Sequence, residues 1–136
     1  MTPETTTTSP STNVAASSYF KTPTHNIVCY HSVGTTFSII TCGIKSGLRP
    51  APPHITCTEG DYAGDRVVLQ ATGTVQVPSC AGDPGPFVGV GTAPVLVYGK
   101  RWAGGGLRCT SRFRGLTCRN RSGHGFFLSR ERWRSF

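Results

Sequence analysis

One histidine stands where its side chain could reach a ligand with little steric hindrance, because His124 lies between two glycines. Imidazole changes its charge near neutral pH and therefore serves as a proton donor or acceptor in many active sites. The structural alternative is that both glycines adopt positive φ angles in a turn, which His124 caps or packs against. The possible acid–base partners of His124 are His31, Asp61, Asp65 and Ser122. None of them stands at a diagnostic spacing, so His124 is the one catalytic candidate and no catalytic set is defined.

The remaining chemistry-bearing motifs are also incomplete. The chain has no Gly-x-Ser-x-Gly, no phosphate-binding Gly-Lys-Ser/Thr and no His-Glu-x-x-His. Three carboxylates, Glu59, Asp61 and Asp65, crowd into one segment, but they lack the alternation and the trailing Glu of a calcium loop. We expect an acidic turn there, with the basic C-terminal segment as a possible internal partner. The cysteines form no C-x-x-C, so we predict neither a metal nor a cofactor.

Positive charge is concentrated at the C-terminal end of the chain. Residues 100–136 carry ten basic residues and one acidic residue, whereas residues 1–99 carry four basic and five acidic residues. Arginine forks bind phosphate and carboxylate in bidentate fashion, and aromatic faces stack on sugars, bases or guanidinium groups. The predicted binding residues are Trp102, Arg112, Arg114, Arg119, Arg121, His124 and Trp133.

This basic segment has two interpretations. In the functional one, strand alternation projects Arg112 and Arg114 together at a hairpin tip and gives Arg119 and Arg121 a common face. Such a surface suits teichoic acid, an acidic glycan or a phospholipid surface, with nucleic acid less favoured. In the other interpretation the arginines form a solvated face and the aromatic residues belong to the core.

Six cysteines, at positions 29, 42, 57, 80, 109 and 118, indicate a disulfide framework in a small chain rich in glycine and proline. The segments 26–31 and 37–44 favour β-structure and flank a turn at Gly34. A hairpin centred there sets Cys29 opposite Cys42. Directly opposed positions in an antiparallel pair lie close enough for a disulfide.

The same reasoning applies near the C-terminus. The segments 107–111 and 116–120 flank a turn at Phe113–Arg114, which places Cys109 opposite Cys118. Cys57 and Cys80 then pair by elimination. The prediction is therefore three disulfides, 29–42, 57–80 and 109–118, in a secreted or cell-surface protein.

The composition predicts an all-β fold. Seventeen glycines and ten prolines among 136 residues exclude a mainly helical protein. Further strands are predicted at 66–70, 73–77, 94–98 and 125–129, the last of these being the final strand. After it, residues 129–136 could form one helical turn capped by Ser129. The expected architecture is a small antiparallel β-sandwich or barrel of about eight short strands with little helix.

A change in composition divides the chain into two parts. Residues 1–18 are rich in Thr, Ser and Pro, and we expect them to be a disordered linker that follows an export signal. Residues 19–136 form the disulfide-stabilised β domain. The unbroken apolar runs are too short for a membrane-spanning helix.

Both ends of the predicted domain carry distinctive motifs. Residues 20–29 read FKTPTHNIVC, and residues 115–126 read GLTCRNRSGHGF. These segments resemble the opening and closing motifs of an uncharacterised domain family found in secreted and lipid-anchored actinobacterial proteins. His25 stands where that family more usually has a glycine, so we expect the turn there to be looser or capped differently. The resemblance implies export, disulfides and a β-rich fold, and it implies no activity.

Together these observations favour an exported, non-enzymatic domain that binds an anionic polymer of the cell envelope or its surroundings through a C-terminal Arg/aromatic face. Two alternatives remain open. One is a protein-interaction or inhibitor module that inserts its hairpin loops into a partner. The other is a secreted hydrolase or nuclease in which His124 acts as the general acid or base.

Overall fold

The computed structural model describes residues 19–58, 60–82 and 85–136; the predicted linker at 1–18 lies outside this range. Strands dominate the described residues, with one 3-10 helix at Pro86–Gly89. The strands are β1 (Tyr19–Lys21), β2 (Ile27–Val33), β3 (Ser38–Ile44), β4 (Asp61–Ala63), β5 (Arg66–Gln70), β6 (Ser79–Ala81), β7 (Arg101–Gly104), β8 (Leu107–Arg112), β9 (Gly115–Arg119), β10 (Gly125–Leu128) and β11 (Trp133–Ser135).

The strands form two large sheets and one small one. The first sheet has the order β1-β2-β3-β5, the second has the order β11-β10-β9-β8-β7, and β4 pairs with β6. Every named strand pair is antiparallel. The prediction of an all-β antiparallel fold is confirmed. No helix long and apolar enough to cross a membrane occurs in the described part of the chain.

The two large sheets enclose a single hydrophobic core. Alternation along each strand sends every second side chain inward, as the burial pattern of β8 shows, where Leu107, Cys109 and Ser111 are buried between exposed or half-buried neighbours. The largest fully buried side chains of the core are Phe20, Ile40, Ile44, Leu69, Leu96, Trp102, Leu116, Phe126 and Leu128.

All three predicted disulfides are confirmed. Cys29 lies directly opposite Cys42 in the β2–β3 hairpin, and Cys109 lies directly opposite Cys118 in the β8–β9 hairpin. These four cysteines are completely buried. Both disulfides belong to the hydrophobic core cluster.

Two predicted strands are wrong. The segment 73–77 makes only one pair of backbone hydrogen bonds with β5, between Val68 and Gln76. The turn before it is held instead by Asn120, whose Nδ2 donates to the carbonyls of Gln70 and Gly73 at 2.9 and 2.8 Å. Tertiary contacts here outweigh local β propensity.

The segment 94–98 likewise forms a single parallel bridge, between Val95 and Lys21, rather than a strand. Leu96 is the one residue of this segment with a fully buried side chain. The chain then turns at Gly99, which has a φ of 87°, and the N–H of Gly99 donates to the carbonyl of Ser111 in the second sheet at 2.7 Å.

The expected ending of the fold is also wrong, because β10 is followed by a further strand, β11. Ser129 does not cap a helix: its Oγ contacts the backbone N and O of Arg132 at 3.1 and 3.0 Å, which closes a tight turn. Trp133 then packs against the core, and its Nε1 donates to the carbonyl of Pro50 at 2.7 Å. Pairing with β10 gives this segment inter-strand backbone hydrogen bonds, whereas an isolated helix of eight residues would be only marginally stable.

The outer faces of the two large sheets differ. The 3-10 helix covers part of the first sheet, with Pro86 and Phe87 so close to Gly43 that a β-carbon there would lie within about 3 Å of them. The outer side chains of the second sheet are exposed at Arg101, Arg108 and Arg112. The second sheet therefore presents the open face of the molecule.

Candidate functional site

The open face of the second sheet carries two rows of side chains that the strand register brings together. Directly opposed residues of antiparallel strands project to the same side of the sheet. The first row, from β7 to β11, is Arg101, Thr110, Thr117, Phe127 and Arg134. The second row is Ala103, Arg108, Arg119, Gly125 and Phe136, the last two being joined by reciprocal backbone hydrogen bonds.

A third position on the same face belongs to Arg112, two residues beyond Thr110 on β8. The name basic face is used here for the five exposed arginines Arg101, Arg108, Arg112, Arg119 and Arg134. None of the five strands of this sheet contains an acidic residue. The positive charges of the basic face are therefore not neutralised within the sheet.

Aromatic rings contact two arginines of the basic face, Arg119 and Arg134, and also Arg132 in the turn before β11. The guanidinium carbon of Arg119 lies 4.6 Å from the ring centroid of Phe136. Those of Arg134 and Arg132 lie 5.8 and 6.0 Å from the ring centroid of Phe127. Stacking of this kind orders a guanidinium group while its N–H edges stay available for an oxyanion.

A cavity of about 450 Å³ opens beside the tip of the β8–β9 hairpin. This tip cavity has arginines from two turns in its lining: Arg112 and Arg114 from the hairpin, Arg130 and Arg132 from the turn between β10 and β11. The lining also includes Glu131, Tyr98, Phe113 and Phe127. The tip cavity is thus both positively charged and partly aromatic.

The structure divides the predicted binding residues among different places. Arg112 and Arg119 lie on the basic face, and Arg112 and Arg114 line the tip cavity. The predicted common strand face of Arg119 and Arg121 does not form, because β9 ends at Arg119 and the side chain of Arg121 lies against Gly106.

Neither tryptophan belongs to the basic face. Trp102 is fully buried and lies opposite Cys109, with its ring 5.7 Å from that of Phe20. Trp133 is half-buried, and its Nε1 donates a hydrogen bond to the carbonyl of Pro50. Both tryptophans occupy inward positions, on β7 and β11, that face the other sheet. They therefore belong to the core, as the second interpretation of the basic segment expected.

His124 lies in a turn organised by buried Asn120. The Asn120 Oδ1 accepts the backbone N–H groups of Ser122 and His124 at 3.0 and 3.1 Å. The ring Nδ1 of His124 lies 3.3 Å from the carbonyl oxygen of Phe136. Three of its four candidate partners lie elsewhere: His31 in the core, Asp61 on β4 and Asp65 beside Arg66. The fourth, Ser122, lies in the same turn, and its Oγ accepts the backbone N–H of Gly73 at 3.1 Å.

The two glycines beside His124 have different roles, in contrast to the expectation that both need a positive φ. Gly123 has φ 81° and turns the chain. Gly125 has no positive φ, but a β-carbon there would collide with the backbone carbonyl of Cys118. The contacts of His124 are therefore those of a packed turn.

The two described acidic residues of the segment 59–65 lie in different local surroundings. Asp61 begins β4, and Asp65 lies 3.8 Å from the Nε of Arg66. Asp65 is therefore not the partner of the C-terminal arginines; Glu59 lies outside the described residues. Across residues 19–58, 60–82 and 85–136, no three His, Cys, Asp or Glu side chains converge as metal ligands.

The burial of His31 was not predicted from the sequence. The ring of His31 faces inward, with its centroid 4.8 Å from that of Trp102, and its Nε2 lies 2.8 Å from the Oγ of Ser38. Burial lowers the pKa of His31, because desolvation penalises the imidazolium form. Its spacing of two from Cys29 was the available signal, since both residues occupy the inner face of β2.

A family model described as a family of unknown function, DUF6636, matches residues 6–136. The match includes both motif segments, 20–29 and 115–126. No curated protein and no solved structure matches the chain.

Proposed function

We propose that this chain, which belongs to the family of unknown function DUF6636, is a non-enzymatic domain that binds an anionic polymer across its basic face. The observation that carries this proposal is the strand register, which lines up five exposed arginines on an open sheet without an acidic residue in its strands. Three disulfides are typical of oxidising compartments. We therefore expect the polymer to belong to the cell envelope or to the extracellular surroundings.

The extent of the basic face favours a polymer over a small anion. Arg101 lies on β7 and Arg134 on β11, at opposite edges of the sheet. Four strand spacings separate them, about 19 Å at ~4.8 Å per strand. Only an extended ligand with repeated charges can contact both arginines at once. The hydroxyls of Thr110 and Thr117 lie between them as additional hydrogen-bond donors.

The chemistry of the face suits binding rather than catalysis. The side chains of the two rows and of Arg112 are guanidinium, hydroxyl, phenyl and methyl groups, with no carboxylate or imidazole among them that could act as a general base. An alternative role in protein recognition would use the protruding hairpin tip, where Phe113 is 85% exposed. That role predicts saturable binding that charge reversal on the basic face does not weaken.

The test is a titration with two linear polyanions, polyphosphate and polygalacturonate, between about 50 mM and about 300 mM NaCl. We expect binding that weakens steeply with salt, because neutralised polyanions release condensed counterions. Arg108→Glu should reduce the affinity at least about tenfold, equivalent to ~1.4 kcal/mol.

Lys45→Glu is the matched control, since Lys45 is an exposed cation that follows β3 of the other sheet. It changes the net charge by the same amount and should leave the affinity nearly unchanged. Equal losses in both variants would show that net charge alone attracts the polymer. That result contradicts the proposal, and so does a failure to bind both polyphosphate and polygalacturonate.

A further inference from the structure

The tip cavity brings together more positive charge than its own lining neutralises. Its four arginines are accompanied by one carboxylate, that of Glu131. Within the described residues, the one ion pair joins Arg66 to Asp65, and neither residue lines this cavity. We propose that the tip cavity, which adjoins the basic face and shares Arg112 with it, is a second site, which binds a phosphomonoester carried on an aromatic or alkyl group.

Both turns that supply the arginines are held by their own hydrogen bonds. The β8–β9 hairpin is closed by the pairing of Arg112 with Gly115, which leaves Phe113 and Arg114 as the two tip residues. The other turn is closed by the contacts between Ser129 and Arg132, with Arg130 between them. The guanidinium groups therefore start from defined backbone positions, which lowers the entropic cost of binding an anion.

The charge of the lining favours a phosphomonoester over a carboxylate. A phosphomonoester carries about −1.5 to −2 charges at neutral pH and has three strong acceptor oxygens. It therefore offers three oxygens and a larger charge to several arginine forks, whereas a monocarboxylate offers two oxygens and a single charge. Four arginines against one glutamate match the more highly charged group.

The aromatic part of the lining indicates what the phosphate is attached to. Tyr98 and Phe113 meet edge to face, with ring centroids 5.8 Å apart and an interplanar angle of 76°. Phe113 is 85% exposed in spite of this contact, and Tyr98 is 40% exposed. An apolar group beside the phosphate would cover these rings and remove apolar surface from water.

The first arm of the test compares small ligands, by NMR titration or calorimetry on the whole chain. The probes are phenyl phosphate, inorganic phosphate and benzoate. We expect phenyl phosphate to bind most tightly, inorganic phosphate more weakly, and benzoate more weakly than phenyl phosphate. Phe113→Ser should remove the advantage of phenyl phosphate over inorganic phosphate. Arg114→Ala combined with Arg130→Ala should reduce phenyl phosphate affinity at least about tenfold.

The second arm distinguishes a lipid headgroup from a free phosphate. Vesicles of phosphatidylcholine containing phosphatidic acid present a phosphomonoester, whereas those containing phosphatidylglycerol present a phosphodiester. Preference for phosphatidic acid vesicles, lost in Arg114→Ala/Arg130→Ala, identifies a lipid as the source. Binding of phenyl phosphate without vesicle binding identifies a soluble ligand. Equal binding to both vesicle types, without phenyl phosphate binding, overturns the proposal.

The two sites are separated by variants that each touch only one of them. Arg108→Glu alters the basic face alone, and it should leave phenyl phosphate binding intact. Arg114→Ala/Arg130→Ala alters the tip cavity alone, and it should leave polyphosphate binding on the basic face. A loss of phenyl phosphate binding in Arg108→Glu as large as that in the cavity variant overturns the cavity site. Intact phenyl phosphate binding in a chain that does not bind polyphosphate overturns only the polymer proposal.

Discussion

Arg108 and Arg119 lie directly opposite each other on β8 and β9, and both are exposed. Like charges at directly opposed positions destabilise an antiparallel pair. Contact of Arg119 with the ring of Phe136 orders its side chain without neutralising it. The domain therefore carries a repulsion on its open face that an anion lying between the two guanidinium groups would relieve.

The first prediction concerns this repulsion. Arg108→Glu replaces it with an attraction, so the free energy of unfolding in urea should rise by about 0.5 kcal/mol at low salt. The gain should shrink as salt is added, because exposed charges are screened. Lys45→Glu should show no comparable gain. A less stable Arg108→Glu variant at low salt would mean that the opposed arginines do not repel each other appreciably.

The second prediction concerns His25, which adopts φ 64° in the turn between β1 and β2. Its backbone N–H donates to the carbonyl of Thr22 at 2.8 Å, so the turn fixes this conformation. A left-handed conformation costs a residue with a β-carbon roughly 1–2 kcal/mol, partly offset by the greater unfolded-state entropy of glycine. His25→Gly should therefore stabilise the domain by about 0.5–1 kcal/mol.

The matched control for His25→Gly is Gly47→Ala. Gly47 has φ 83°, and a β-carbon there would meet nothing within 4 Å, so its cost comes from the backbone alone. This variant should lower the free energy of unfolding by a similar amount. Thermal or urea denaturation of both variants tests the pair, and a destabilised His25→Gly would contradict the assigned conformation.

The sequence predicted the hairpins well because the information for them is local. Alternating β-favouring residues flank a turn in each case, and cysteines placed symmetrically about that turn define the register. The same local signals failed at 73–77 and 94–98. There the strand-forming residues are present, but each segment forms only one backbone bridge with a strand. The turn before 73–77 is held by the side chain of Asn120, which is distant in the sequence.

The candidate site could be predicted only in part for the same reason. Excess arginine near the C-terminus was visible in the composition, but its division between an open face and a cavity was not. That division depends on the pairing of β10 with β11 and of β7 with β8, which sets Arg134 and Arg101 on the same side. The burial of Trp102 follows from the packing of the second sheet, which no local pattern specifies.

The third prediction concerns the order in which the disulfides are reduced. Cys80 is exposed and Cys57 is half-buried, whereas the cysteines of the other two disulfides are completely buried. Thiol–disulfide exchange requires access of the attacking thiolate. A mild thiol reductant acting on the folded protein should therefore open Cys57–Cys80 first, and differential alkylation with mass spectrometry should locate the label there.

The control for this order is the same reaction in strong denaturant. Unfolding removes the protection by burial, so the large difference in rate should disappear. Early labelling of Cys29 or Cys109 in the folded protein would contradict the buried positions of these disulfides. Six free thiols in unreduced protein would contradict the disulfide framework as a whole.

The fourth prediction concerns the pH dependence of stability that arises from His31. Its pKa in the folded protein is lowered from 6.5 by burial. Above about pH 6.5 the imidazole is neutral in both states, and the domain has its full stability. Below that value the unfolded chain binds a proton that the folded protein does not, so stability falls until the lowered pKa is reached. One such proton contributes at most about 1.4 kcal/mol per pH unit.

Denaturation in urea between about pH 7.5 and about pH 5 measures this slope. His31→Gln has no titrating group at this position, so its stability should fall less steeply over the same interval. The side chain contacts of His31 are with neutral groups, the hydroxyl of Ser38 and the ring of Trp102, and neither stabilises an imidazolium by opposite charge. An NMR titration of His31 in the wild-type protein gives a second readout that does not require the variant to fold. A midpoint at or above pH 6.5 would show that the imidazole is not desolvated in the core.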